Sequence, residues 1–186
     1  MVKLILHLFR EIPEFVRSLM KNMSKLIQLH DDIDTRVQSI LEDRYDWPCT
    51  KGCDSCCQRL AEIPQLTLAE WNLLREGLES LAPEQLLQIS KNMATLTRSR
   101  PIVCPMLDLA TGTCTVYAQR PVACRTYGFY VQRDKGLYCN DIETRVDDGT
   151  WVDVVWGNHD AIDQRLTGLG KTRALTDWFE ETKIIS

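Results

Sequence analysis

The sequence holds only three histidines, and none stands in the His-Glu-x-x-His arrangement of a helical zinc hydrolase. It has no Gly-rich dinucleotide fingerprint and no Gly-x-Ser-x-Gly nucleophile elbow. Gly168-Leu-Gly-Lys-Thr172 ends like a phosphate-binding loop, but Arg165 occupies the place of its first glycine. Positive charge is not in excess either: 22 Lys and Arg face 26 Asp and Glu, a net charge of -4. That balance argues against general nucleic-acid binding. Long apolar runs are missing as well. Lys3, His7, Arg10 and Glu11 break the apolar start MVKLILHLFREIPEF, whereas a helix needs about 20 apolar residues to cross a bilayer. No small-residue cleavage site follows that start, so neither a transmembrane segment nor a signal peptide is expected. A cytoplasmic location follows as the expectation.

What the sequence does have is cysteine. Eight thiols lie at Cys49, Cys53, Cys56, Cys57, Cys104, Cys114, Cys124 and Cys139. With 186 residues, 44% of them hydrophobic, the chain can bury a core without crosslinks to compensate for small size. Reducing conditions in the cytoplasm also oppose disulfides. Metal or redox chemistry is therefore favoured over a disulfide framework or isolated reactive thiols.

The first four cysteines fall within nine residues, Cys49-Thr-Lys-Gly-Cys-Asp-Ser-Cys-Cys57. A tight turn carrying Cys-x-x-x-Cys-x-x-Cys can aim three sulfurs at one point, and Gly52 lets the backbone reverse without a Cβ penalty. Thiolates are soft donors suited to zinc and iron–sulfur clusters. The adjacent Cys56 and Cys57 pose a separate question. Neighbouring side chains usually diverge, so one of them is expected to serve a second metal, a different iron, or the interior. The Cys49–Cys56 spacing also matches the cluster triad of radical S-adenosylmethionine enzymes, although here the triad follows a helix rather than a barrel strand.

The other four cysteines are dispersed. Cys104 and Cys114 lie on the arms of a hairpin predicted to turn at Ala110-Thr-Gly112, an arrangement that brings two ligands together in zinc ribbons. Cys124 sits in a short helical turn started by Pro121. Arg120 and Arg125 flank it and could offset the charge of a thiolate cluster, as cofactor-binding residues, or simply make salt bridges.

Around these motifs the pattern is mostly helical. Val16, Leu19, Met23, Leu26, His30, Ile33, Val37 and Ile40 form a heptad seam over 14–43. Packing on its own domain is the plain account of this seam, and a helical partner or a homodimer through 14–43 is the alternative. His30 on the seam is expected to be a packed histidine. Thr67-Leu-Ala-Glu70 predicts a capping box and a helix to about Leu81. Pro83 opens another helix, to about 98. A strand is expected at Trp151–Trp156, with Asp147-Asp148-Gly149 as a turn between strands. Helices are expected at 159–167, capped by Asn158, and at 173–182. The expected class is α+β, mostly helical, with a small metal-organised β-hairpin region. The expected organisation is a helical segment at 1–46, a cysteine-cluster domain at 47–140, and a strand and helices at 141–186 packing on it.

The combined motif, C-x3-C-x2-C-C, then C-P-x-L-D and G-x-C-x-V-Y-x-x-R-P-x-x-C-R-x-Y, resembles the YkgJ-like cysteine-cluster family. The matching stretches are Cys49–Cys57, Cys104–Asp108, Gly112–Tyr127 and Cys139. The resemblance implies zinc or iron chelation by eight characteristic cysteines. A related cluster occurs in flagellin lysine methylases, where iron–sulfur-assisted methyl transfer is implied, but this chain is far shorter. The leading expectation is a [4Fe–4S] protein with a redox, metal-handling or assembly role. Structural zinc, and an enzyme using a small ligand or S-adenosylmethionine at an open cluster iron, are the alternatives.

Overall fold

A computed structural model of the chain describes residues 13–96, 100–133, 135–182 and 184. The apolar start before Pro13, and Thr97 and Arg98 in the expected 83–98 helix, lie outside the described residues. The heptad stretch forms α1 (Glu14–Asp43), with Pro13 at its N-cap. From Leu26 onward its seam faces the chain itself: Leu26, Leu29, His30, Ile33 and Ile40 are buried, and Met23 and Val37 pack beside them. Towards the N-terminal end Phe15, Val16 and Met20 remain exposed.

The cysteine-rich turn follows and closes in the one-turn helix α2 (Ser55–Gln58). Strand β1 (Gln65–Thr67) leads into α3 (Leu68–Glu79), whose capping box forms as the sequence predicts: Thr67 Oγ1 accepts the Glu70 N–H, and the Glu70 carboxylate accepts the Thr67 N–H. Next come α4 (Pro83–Thr95) and the hairpin β2 (Leu107–Asp108) and β3 (Thr113–Cys114). A 3₁₀ turn (Tyr117–Gln119) and α5 (Val122–Thr126) bring the chain to β4 (Tyr130–Gln132) and β5 (Lys135–Gly136).

The region after Cys139 departs from expectation. It forms a helix, α6 (Asn140–Asp147), and Asp148-Gly149 ends that helix instead of joining two strands. No strand spans Trp151–Trp156; only β6 (Gly157–Asn158) forms, parallel to β4. The reason is aromatic packing. Trp151 stacks on Trp47 with centroids 4.3 Å apart, and Trp156 tilts against Trp47 and Tyr138 at 5.5 and 5.1 Å. The apolar segment expected as a strand supplies rings to this cluster from an irregular loop. The last elements are α7 (His159–Thr167), β7 (Thr172–Ala174) and α8 (Leu175–Thr182). Asn158 caps α7 by accepting the Ala161 N–H at 3.3 Å.

Among the described residues three small sheets form: β1–β7 antiparallel, β2–β3 antiparallel, and β5–β4–β6. The fold is α+β and mostly helical. Two cores organise the described residues. One joins α1 to Trp47, Val122, Phe129, Ile142, Trp151 and Ile162. The other joins α3 and α4 to Leu66, Ile102, Met106, Val116, Leu175 and Trp178. The β1–β7 pairing ties the C-terminal segment to the start of α3, with Thr67 opposite Thr172.

Candidate metal centre

All eight cysteines are free thiols and all are half-buried. The sulfurs of the adjacent Cys56 and Cys57 lie 4.0 Å apart, about twice a disulfide bond. A disulfide framework is therefore not what holds this fold. The expected divergence of these neighbours is also modified, since their sulfurs lie within contact of each other.

The nine-residue turn is built by its own backbone. The Cys53 N–H donates to the Thr50 carbonyl at 3.0 Å, and Gly52 takes φ +102°, the left-handed region its lack of a Cβ permits. Cys49 reaches across to a different loop: its thiol donates to the Tyr127 carbonyl at 3.6 Å. Gly128, with φ +89°, comes so close that a Cβ there would stand 2.7 Å from the Cys49 sulfur. Sequence reading passed over this glycine, and the only signal available was its place inside the Cys-Arg-x-Tyr-Gly run.

Further backbone ties bring in the remaining cysteines. The Gly128 N–H donates to Leu137 O at 2.6 Å, which lays the segment before Cys139 alongside. Cys139 is the N-cap residue of α6. The Cys104 N–H donates to the Cys57 carbonyl at 2.7 Å, and Leu60 bridges Ile102. The hairpin sets Leu107 opposite Cys114. Cys124 lies on α5, whose first N–H, from Val122, is received by the buried Glu70 carboxylate at 3.1 Å. Sequence reading assigned Glu70 to the capping box alone. Its second attachment, across 52 residues, is invisible in a local pattern.

The electrostatics report the same gathering. Burial, then the neighbouring Cys53, Cys56 and Cys139, push the Cys49 thiol up to about 12. Its interaction with Cys104 pushes Cys57 up to about 12. Cys56 is raised through its contact with Cys57 and by burial. Cys124 is raised by burial and then by Cys57, Cys56 and Cys114. Burial and the charges of Cys139, Cys56, Cys49 and Cys53 hold the Tyr127 phenol up at about 12. The raised thiols Cys49, Cys56, Cys57 and Cys124 release their protons when they bind metal. Among the described residues, no three His, Cys, Asp or Glu side chains converge on one ion-sized point.

The two arginines part company. Arg120 stacks on the Tyr117 ring, 3.8 Å from its centroid, and its charge opposes the upward shifts of Cys49, Cys114 and Cys124. Arg125 is buried and engaged elsewhere. Its guanidinium donates to both Asp34 oxygens at 3.0 and 2.7 Å, to Arg120 O at 3.1 Å and to Ala118 O. It fixes the loop that carries Arg120 against α1.

A cleft of about 1000 Å³ runs beside the thiols, with Cys56, Cys124, Tyr127, His159 and Asp163 in its wall. His159 Nδ1 stands 3.3 Å from Asp163 Oδ1. No described helix is long and apolar enough to cross a membrane.

Comparison with curated proteins and with solved structures finds no match to this chain. A family model does match: over residues 48–148, more than half of the chain and spanning all eight cysteines, the sequence fits the CxxCxxCC model, described as "Putative zinc- or iron-chelating domain". With its thiols free, gathered and unused by the cores as bridges, the chain belongs to the CxxCxxCC family of zinc- or iron-chelating domains.

Proposed function

We propose that this metal-binding protein is an iron–sulfur protein, holding [4Fe–4S] chemistry on its cysteines for a redox, metal-handling or assembly role. The supporting observation is the donor set: eight free thiols, four of them in one turn, with Cys104 tied to Cys57 by a backbone hydrogen bond. Four thiolates bonded to one zinc at about 2.3 Å would stand about 3.8 Å apart. A cluster interposes irons and sulfides, so its thiolates stand wider. Arg120 supplies a cation that favours the thiolate form without being a ligand. Thiolate ligation suits a reducing, cytoplasmic setting.

Structural zinc is the second reading. The 4.0 Å separation of the Cys56 and Cys57 sulfurs favours it, because it is close to the edge of a tetrahedral thiolate site. The cleft at Cys56 and Cys124 is what supports use of a small ligand, S-adenosylmethionine among the candidates. Anaerobic purification, a visible spectrum and assays of iron, acid-labile sulfide and zinc separate the two metals. Coloured protein with matching iron and sulfide is the expected result. Colourless protein with stoichiometric zinc would overturn the cluster.

A further inference from the structure

We infer that the eight thiols form two four-cysteine sites that share a wall at the adjacent pair: Cys49, Cys53, Cys56 and Cys139 make one, and Cys57, Cys104, Cys114 and Cys124 the other. This rests on the metal-binding reading above, and concerns how the ligands divide whichever metal they hold.

The backbone draws the division. In the first set, Cys49 and Cys53 belong to one turn closed by the Cys53 N–H on Thr50 O. Cys49 lies against Tyr127 and Gly128, and Gly128 is tied to Leu137, two residues before Cys139. Cys49 and Cys139 both pack on the core around Trp47 and Ile142. In the second set, Cys57 and Cys104 are joined by a 2.7 Å backbone hydrogen bond, and the β2–β3 hairpin brings Cys114 back opposite Leu107, three residues after Cys104. Cys104 and Cys114 both pack on the other core, around Trp71 and Met106. Cys49 and Cys139 therefore hang from one core, and Cys104 and Cys114 from the other.

The border falls inside α2. Successive helical side chains point about 100° apart, so Cys56 and Cys57 can face two directions while their sulfurs stay 4.0 Å apart. Cys124, on α5 and in the cleft wall beside Cys56, completes the second set at that border.

Serine variants of the full chain test this by metal per chain, with sulfide assayed alongside. C53S and C139S should each lose about half of the wild-type metal, and so should C104S and C114S. The double variant C53S/C139S should lose no more than either single change, whereas C53S/C104S should lose nearly all. C56S should behave like C53S, and C57S like C104S. Complete metal loss in any single variant, or half retention in C53S/C104S, overturns the division. Where a variant does not fold, stepwise chelation of loaded wild-type protein with alkylation mapping gives the same answer. Four thiols of one set should become reactive together, before the other four; mixed exposure from both sets overturns the proposal. Wild-type protein with zinc and no sulfide would sink the cluster reading yet leave the half-and-half pattern intact. Wild-type protein that neither carries metal nor takes up added zinc would sink metal binding and the division with it.

Discussion

The carboxylate of Glu70, buried at the start of α3, accepts the N–H of Val122 at 3.1 Å and the Thr67 N–H at 2.9 Å. One side chain thereby caps its own helix and anchors α5, two residues before Cys124. Glu70→Ala removes the acceptor for both N–H groups. A loss of about 2–4 kcal/mol is expected, since each buried donor left without a partner costs about 1–3 kcal/mol. Urea unfolding of the metal-loaded protein measures it, and metal content should fall in parallel. A midpoint unchanged from wild type would show that the carboxylate anchors nothing.

Gly128 and Gly149 form a matched pair. Both have positive φ, +89° and +79°, but a Cβ at Gly128 would strike the Cys49 sulfur while one at Gly149 meets nothing within 4 Å. Gly149→Ala should cost only backbone strain, about 1–2 kcal/mol. Gly128→Ala should cost clearly more and should also reduce bound metal. Equal losses in the two variants, with metal intact in both, would remove the claim that Gly128 clears space for the Cys49 thiol.

His30 gives a pH dependence. Burial, and then the charge of Arg125, hold this imidazole down at about 4, while Asp34 acts in the opposite sense. The unfolded chain takes up the proton near 6.5 and the fold does not. The neutral histidine's contribution is thus present in full above about 6.5 and is lost as pH falls towards about 4, up to about 3 kcal/mol. Unfolding midpoints between these limits should fall more steeply for wild type than for His30→Leu. Parallel slopes would exclude His30 as the source.

Arg120 and Arg125 should separate stability from metal chemistry. Arg125→Met strands Asp34 and two carbonyls, with a cost of about 2 kcal/mol after allowing for the half-exposed Asp34. Arg120→Met leaves those ties in place. Its expected effect is weaker metal retention with a nearly unchanged apo-protein midpoint. Competition with a chelator and thermal melts of the apo forms test both. A larger stability loss from Arg120→Met than from Arg125→Met would reverse these roles.

Trp47 stands two residues before Cys49 and stacks on Trp151 and on Phe129, with centroids 4.3 and 5.8 Å away. Trp47→Ala should cost about 3–5 kcal/mol, the range for truncating a buried large aromatic, and should erase near-UV circular dichroism from the cluster. Retention of that signal would mean the ring stack does not order the segment leading to Cys49.

Local signals carried much of the fold. The heptad spacing marked α1 to within its observed ends, Thr67 and Glu70 announced α3, Pro83 opened α4, and the turn at Gly112 produced the hairpin. Each depends on neighbours in sequence, whose periodicity or capping chemistry is fixed before any long-range packing. The apolar segment Trp151–Trp156 reads locally as a strand, while what holds it in place is Trp47, about a hundred residues earlier. Likewise β1 and β7 are three-residue strands that form only because they meet each other.

The metal centre divides in the same way. Residue types and spacing in the sequence determined the chemistry: eight soft donors, four in one turn, with a family motif around them. Only the tertiary structure decided the neighbourhoods. It drew Cys139 to Cys49 through Gly128 and Leu137, drew Cys104 to Cys57 through one backbone bond, and turned Arg125 away to Asp34 while Arg120 acts on the thiols. Spacing constrains sulfurs a few residues apart because the chain between them is short. Sulfurs separated by up to ninety residues are brought together only by long-range backbone ties and by packing on the cores.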